Sequence, residues 1–253
     1  MRPDELQLGF LKLLKGSPLR EKAAEYGYLF TRTPPYEILG NKWLSYGDLH
    51  RLKVIEEVLG IFFNSRRFRY TLDFLLAKAG CSPWEFYSGL AAFWEGRGLS
   101  GKKFKSSALF ELFWEYLRSA PEFAPLAPAL RGLLTFDYYL AGAEGPEPSW
   151  IQPPPAALAG RFRELLATSG EEYRRVLPEP FSGFSRNELR RRTRMLQLAV
   201  DPETMEEEEV LLLVYLPAQG KPFWRRWPEA TPATGDGERG VLQDWESRKG
   251  GRP

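Results

Sequence analysis

The side chains that most often carry nucleophilic or metal chemistry are scarce in this chain of 253 residues. It has one cysteine, Cys81, and one histidine, His50. A catalytic thiolate needs a basic partner that is itself oriented by a third group, and neither residue has such a group beside it in the sequence. We therefore interpret Cys81 as a half-buried thiol and His50 as a surface or packing residue. This chain alone cannot supply the ligands of a Cys/His metal site or an iron–sulfur cluster, or form an internal disulfide.

Asp137 is the one acid flanked by aromatic residues in an otherwise apolar stretch, LLTFDYYL. A buried carboxyl group at this position would have a raised pKa and would be a functional candidate. The alternative, which we expect, is that Asp137 faces solvent or bonds a tyrosine hydroxyl. The sequence has no Gly-rich phosphate loop, HExxH motif or GxSxG motif. The residues therefore predict no catalytic apparatus within this chain alone.

Cationic residues cluster, densely or with aromatic residues, at four places, a composition that can grip phosphates and stack bases. The clusters are RRFR, KKFK, RNELRRRTR and KPFWRRW, at residues 66–69, 102–105, 186–194 and 221–227. The candidate contacts with a substrate or nucleic acid are Arg190, Arg191, Arg192, Trp224 and Arg225.

A structural alternative explains the arginine-rich run without any ligand. Four glutamates, Glu206–Glu209, would lie opposite this run across a predicted hairpin and pair with it. The formal net charge is +2, so no field of the whole chain attracts nucleic acid or a membrane. We therefore expect cross-strand charge pairing, with nucleic-acid binding as the alternative.

The spacing of apolar residues predicts a mainly α (α+β) fold. Two Ser-x-x-acid sequences, at Ser45 and Ser82, are typical of capping boxes, and Gly80 is typical of a helix end. Two apolar runs, MLQLAV and EVLLLVYL, predict an antiparallel hairpin. The predicted helices are Ser45–Asn64, Arg67–Ala79, Ser82–Gly96, Ser106–Ser119, Leu126–Ala141, Ala156–Ala167 and Gly170–Val176.

A proline-dense linker, GPEPSWIQPPP at residues 145–155, marks the predicted domain boundary. Residues 34–150 form the helical domain, and residues 151–227 form short helices and the hairpin, in the same or a second subdomain. Residues 228–253 are small, polar and proline-bearing, and are predicted to be disordered. No apolar run approaches the roughly 18 residues of a membrane helix, and the start does not resemble a signal peptide. We expect a cytoplasmic protein.

The start of the chain, Leu6–Leu14, has the pattern of a strand and is followed by a Gly-Ser-Pro turn and a short helix. Three stretches carry a family resemblance: PDELQLGFLKLLKGSPLREKAAEYGY, PPYEILGNKWLSYGDLHRLKVIEEV, and FNSRRF before a leucine-rich helix. They resemble the C-terminal portion of cobalamin-binding-domain radical SAM proteins, which carry a domain of unknown function after the barrel. LLTFDYYL followed by PSW fits the same pattern.

The resemblance implies that residues 1–33 are the last strand and helix of a radical SAM barrel. Leu6–Leu14 would pair with a strand that this chain does not contain, and the CxxxCxxC cluster motif would lie upstream of Met1. The parent protein would use a [4Fe–4S] cluster, S-adenosylmethionine and cobalamin, with no cofactor bound by this chain alone. The resemblance places five residues near the adenosyl group of S-adenosylmethionine: Leu13, Leu14, Lys15, Gly16 and Ser17.

From this resemblance we expect the C-terminal accessory or substrate-covering region of a cobalamin-dependent radical SAM enzyme. The chain would come from a split gene, a truncated gene model or a fragment. Its partner would be the missing N-terminal cobalamin-binding and radical SAM region, in cis or in trans. The alternative is a freestanding helical binding module for nucleic acid or a protein partner. No membrane association is expected.

Overall fold

Helices dominate the chain and small antiparallel sheets complete it, which confirms the mainly α (α+β) fold class. The computed structural model describes residues 3–142, 147–167 and 181–227. The predicted helix Gly170–Val176 and the predicted disordered tail, residues 228–253, lie outside these ranges. Within the described ranges, none of the helices combines the length and apolar character that crossing a membrane requires.

The N-terminal unit has little regular structure. It contains α1 (Pro18–Glu21), β1 (Leu29–Phe30) and β2 (Ile38–Gly40), and the two strands pair antiparallel. Its small core centres on buried Leu13, which packs with Ala23, Ile38 and Leu49.

The pairing of Leu6–Leu14 with a strand outside this chain stays a prediction. The segment is extended, and it also has contacts within this chain: the Leu13 amide donates to the Tyr36 carbonyl at 2.8 Å, and the Ile38 amide donates to the Leu11 carbonyl at 3.1 Å. Only an isolated antiparallel bridge, from Lys12 to Glu37, results. The chain turns back after α1 and satisfies part of this backbone itself, a non-local contact that the pattern of the segment does not encode.

Five longer helices build the main domain, and local signals place their starts. Capping boxes at Ser45/Asp48 and Ser82/Glu85 form as predicted, with each serine side chain accepting from the acid's amide while the carboxylate accepts from the serine's amide. Gly80 has a φ of +68° at the end of its helix, a conformation that favours glycine. The elements are α2 (Tyr46–Val58) continuing as a π-helix (Leu59–Asn64), α3 (Arg69–Lys78), α4 (Pro83–Gly96), α5 (Ser106–Ser119), a 3₁₀-helix (Pro121–Leu126) and α6 (Ala127–Leu140).

Aromatic rings fill the centre of this helical domain. The Phe62 ring has its centroid 5.0 Å from those of Phe68 and Phe113, and it meets Trp94 edge-on at 5.6 Å. All four side chains are fully buried. Many of the aromatic side chains in the sequence therefore pack in the core, where offset and edge-to-face contacts are favoured.

A three-stranded antiparallel sheet follows, in the order β3 (Thr193–Leu198), β4 (Val210–Tyr215), β5 (Phe223–Arg226). The predicted hairpin of β3 and β4 is confirmed. The third strand was missed because its FWRR sequence, at residues 223–226, was interpreted as part of a basic-aromatic cluster. It pairs with β4 through residues 212–215.

The sheet is covered on both faces, which explains the unbroken apolar run of β4. Leu196, Leu212 and Val214 pack into the helical core, while Met195 and Leu213 pack on the opposite side. The opposite side is covered by α7 (Ala156–Ala167), a 3₁₀-helix (Phe181–Gly183) and α8 (Arg186–Arg192).

Replacing Phe62 by alanine should lower the free energy of unfolding by about 3–5 kcal/mol, because the change empties a fully buried aromatic site. Trp84 is the matched control. Its side chain is 56% exposed, so Trp84→Ala should change the free energy of unfolding by less than about 0.5 kcal/mol. Denaturant unfolding followed by circular dichroism measures both. Similar losses in the two variants would contradict the placement of the core.

Candidate functional site

Asp137 lies where α6 meets the first turn of α3. The residue preceding α3 is Phe68, whose side chain cannot accept hydrogen bonds from the free amides of the helix start. The Asp137 carboxylate accepts them instead. Its Oδ1 accepts from the Tyr70 amide at 3.1 Å, and its Oδ2 accepts from the Thr71 amide at 2.8 Å and from Thr71 Oγ1 at 2.7 Å. Asp137, on a helix that is distant in the sequence, thus caps the N-terminus of α3.

The electrostatics of this carboxyl group are set by burial. Asp137 is 2% exposed, and burial raises its pKa to about 7, against the opposing effect of hydrogen bonds from Thr71 and Tyr70. The negative charge of Asp73 raises the pKa further. The prediction that Asp137 faces solvent or bonds a tyrosine hydroxyl was wrong, since its partners are backbone amides and a threonine. Both oxygens are engaged by α3, which is the arrangement of a structural cap.

The turn Leu13–Ser17 is held by its own hydrogen bonds. Ser17 Oγ donates to the Leu14 carbonyl at 2.8 Å, and Arg20 Nη1 donates to the Leu13 carbonyl at 2.8 Å. Gly16 has a φ of +78°, and Lys15 Nζ lies 5.8 Å from the centre of the Tyr36 ring. Leu13 is buried, whereas Leu14, Lys15 and Gly16 are exposed. Proximity of this turn to S-adenosylmethionine stays a prediction.

His50 and Cys81 have separate surroundings. His50 Nε2 lies 2.7 Å from Glu95 Oε1, its ring stacks on that of Tyr46, and its side chain is half exposed. Burial raises the pKa of the Cys81 thiol, and the nearby charges of Glu85 and Glu122 raise it further. A thiol among carboxylates is the opposite of an activated nucleophile.

The aromatic residues of the basic clusters are used in packing. Phe68 is fully buried and Trp227 nearly so. Phe104 meets Trp94 edge-on at 5.3 Å, and Trp224 meets Phe136 edge-on at 5.2 Å. The buried rings of Phe68 and Trp227 therefore cannot stack on bases, whereas Phe104 and Trp224 are half-buried.

The predicted pairing of Glu206–Glu209 with the arginine-rich run was wrong. The register sets Leu198 opposite Val210 at one end of the hairpin and Thr193 opposite Tyr215 at the other. The glutamates lie in the turn, directly before Val210. The arginines of α8 lie directly before Thr193, at the other end of the strands and roughly 20 Å away for strands of this length.

Other residues neutralise cations of the sheet. Arg194 pairs with Glu147 at 3.1 Å, and Arg226 pairs with Asp201 at 2.5 Å and with Glu203 at 3.1 Å. Arg226 belongs to β5. Its partners Asp201 and Glu203 lie in the turn between β3 and β4, and neither belongs to the Glu206–Glu209 run.

The remaining candidate residues do not form one site. Arg190 and Arg191 are exposed on α8, and Arg192 Nη1 donates to the Leu216 carbonyl at 3.4 Å. Arg225 is exposed and donates to the carbonyl of Trp224, whose ring is committed to the helical core. Within the described residues, no group of three or more His, Cys, Asp or Glu side chains could hold a metal ion.

One comparison with known proteins gives a match. The model of a family described as "Protein of unknown function (DUF4080)" matches residues 24–213. The chain belongs to the DUF4080 family. No curated protein and no solved structure matches the chain.

The DUF4080 match confirms that the chain carries a domain of unknown function. It runs across the proline-dense linker and includes α2 to α8, β3 and part of β4. The Asp137 cap and the arginines of α8 therefore lie inside the DUF4080 unit. The turn Leu13–Ser17 lies before its start.

The raised pKa of Asp137 predicts how stability depends on pH. Between the pKa of an unfolded aspartate, about 3.9, and the folded value of about 7, the folded state holds a proton that the unfolded state has released. The contribution of this group to stability therefore falls as the pH rises through that window.

Asp137→Asn should remove this pH dependence. From about pH 4 to pH 7, the free energy of unfolding of the unmodified chain should fall relative to the variant by on the order of 3–4 kcal/mol. Denaturant unfolding across this range measures the difference. Asp73→Asn is the control and should keep most of the slope, because Asp137 stays buried. Parallel pH profiles for Asp137→Asn and the unmodified chain would rule out the raised pKa.

Proposed function

We propose that this DUF4080 chain is the C-terminal accessory region of a cobalamin-dependent radical SAM enzyme. In this proposal it covers the barrel opening or contacts the substrate, and it is not catalytic alone. The resemblance of the opening stretch and of the following segment to that family supports the proposal. The DUF4080 match starts at residue 24, so residues 1–23 of the predicted barrel remnant lie before it and residues 24–33 lie within it.

The observation that carries the proposal is the exposure of large apolar side chains on the N-terminal unit. Among the described residues, seven such side chains are well exposed, and five of them lie between residues 6 and 43. Leu14 is 56% exposed, Leu29 is 67% exposed and Trp43 is 69% exposed. Concentrations of this kind mark interaction surfaces more often than free surface. A barrel wall packed on the unit would cover them.

The opening segment also keeps free backbone groups. Asn64 binds both the amide and the carbonyl of Leu6 at 2.9 Å. Within the described part of the chain, the next four residues, Gln7–Phe10, make no backbone-to-backbone hydrogen bond. An extended segment with open hydrogen-bonding groups can accept a neighbouring strand. In this proposal the neighbour is a strand of the barrel, supplied in cis or in trans.

The proposal assigns the cofactors to the partner region. A [4Fe–4S] cluster of this kind needs three cysteines, and this chain has one. The residues of this chain therefore do not fit the cluster. We assign S-adenosylmethionine and cobalamin to the partner region as well, with Leu13–Ser17 at its border.

Co-purification tests the proposal. The chain is expressed anaerobically with the polypeptide or region encoded immediately upstream, and the eluate is assayed for iron, sulfide and corrinoid absorbance. We expect a partner that carries an iron–sulfur cluster to be retained. Leu14→Glu combined with Leu29→Glu should abolish retention, because a charge replaces each apolar contact. Trp84→Glu is the control, since this exposed residue lies on α4 outside the N-terminal unit, and it should retain the partner.

Other outcomes separate the alternatives. A colourless, monodisperse chain that elutes alone would refute the proposal and favour a freestanding binding module. Retention that is equally lost in Trp84→Glu would show that the exposed apolar residues of the N-terminal unit are not the docking surface.

A further inference from the structure

A cleft of about 600 Å³ opens between α7, the start of β3 and the proline-rich segment that precedes α7. Its volume lies in the usual range of small-molecule sites. The floor is apolar and is formed by side chains of both packed layers. These are Ile151, Phe162, Leu166, Met195 and Leu196.

Three arginines from three different elements line the same cleft. Arg163 lies on α7, Arg190 on α8 and Arg194 on β3. Among the described residues that line the cleft, Glu147 has the one carboxylate. It is engaged by Arg194 and by the hydroxyl of Tyr139, which donates to it at 3.0 Å.

Two of these arginines form no ion pair with another described residue. Arg163 makes a hydrogen bond to the Ala159 carbonyl of its own helix, through Nε at 3.3 Å. In the described ranges of the chain, no carboxylate forms an ion pair with Arg163 or Arg190. Guanidinium groups at the wall of an apolar cleft are well suited to hold a carboxylate or phosphate.

We propose that this cleft binds a small organic anion. Its carboxylate or phosphate group is held by Arg163 and Arg190. Its apolar body lies against Phe162, Leu166 and Met195. This assignment does not depend on the radical SAM proposal, because the cleft is formed by this chain alone.

Paired fluorescent probes test the inference with the full chain. Anilinonaphthalene sulfonate carries an anionic group on an aromatic body, and N-phenylnaphthylamine has the same aromatic body without the charge. We expect saturable binding of the sulfonate, and competition by inorganic phosphate. Replacing both Arg163 and Arg190 by glutamine should weaken sulfonate binding by about tenfold or more, and should leave binding of the neutral probe within about twofold.

One further variant sharpens the test. Arg161→Gln removes a matched exposed arginine of α7 that does not line the cleft, and it should bind both probes as the unmodified chain does.

Three results would overturn the proposal. They are unsaturable sulfonate binding, equal affinity for the neutral probe, or unchanged sulfonate affinity in the double arginine variant. Near-UV circular dichroism of each variant shows whether the fold is kept. A variant that unfolds partially would bind both probes more strongly, which distinguishes unfolding from loss of the anion site.

Discussion

The carboxyl group of Asp137 joins α6 to α3 by accepting hydrogen bonds from Tyr70 and Thr71. α3 begins after a π-helical stretch and has no cap of its own, so its first amides depend on α6. The same helix α6 packs closely against the sheet. At Gly132 an added Cβ would lie 3.2 Å from Leu198 Cδ2, so a larger residue would push β3 away. One helix thus fixes both α3 and the sheet, and the position of its one buried acid is decisive.

Local signals in the sequence were enough to place the helices. The capping serines, Gly80 and the apolar spacing each act within a few residues of one another, and the structure follows them closely. The predictions that failed concern non-local contacts. The partners of Asp137 and the surroundings of Glu206–Glu209 are set by another helix and by strand register. No short pattern encodes these, and a functional site assembled from three elements is hidden for the same reason.

The arginine cleft has a physical origin in the edge of the sheet. β3 is an edge strand, since β4 and β5 lie on its other side. The segment beside it contains Pro153, Pro154 and Pro155, which have no amide hydrogen to pair with a strand. The segment therefore shields the edge from further pairing but cannot close against it. The space left between them is the cleft, and sequence reasoning missed Arg163 because only this tertiary arrangement places it at the same cleft as Arg190.

Two surfaces of different chemistry thus lie on different parts of the chain. The exposed apolar residues of the N-terminal unit flank the start of the DUF4080 match, and Leu6, Leu11 and Leu14 precede it. The arginine cleft lies wholly inside the match. An apolar surface binds by area and an arginine cleft by charge, so salt should weaken binding at the cleft and leave the apolar surface nearly unchanged. The two surfaces can therefore be assigned independently, and a failure of the first proposal leaves the second, which concerns residues inside the DUF4080 match, unaffected.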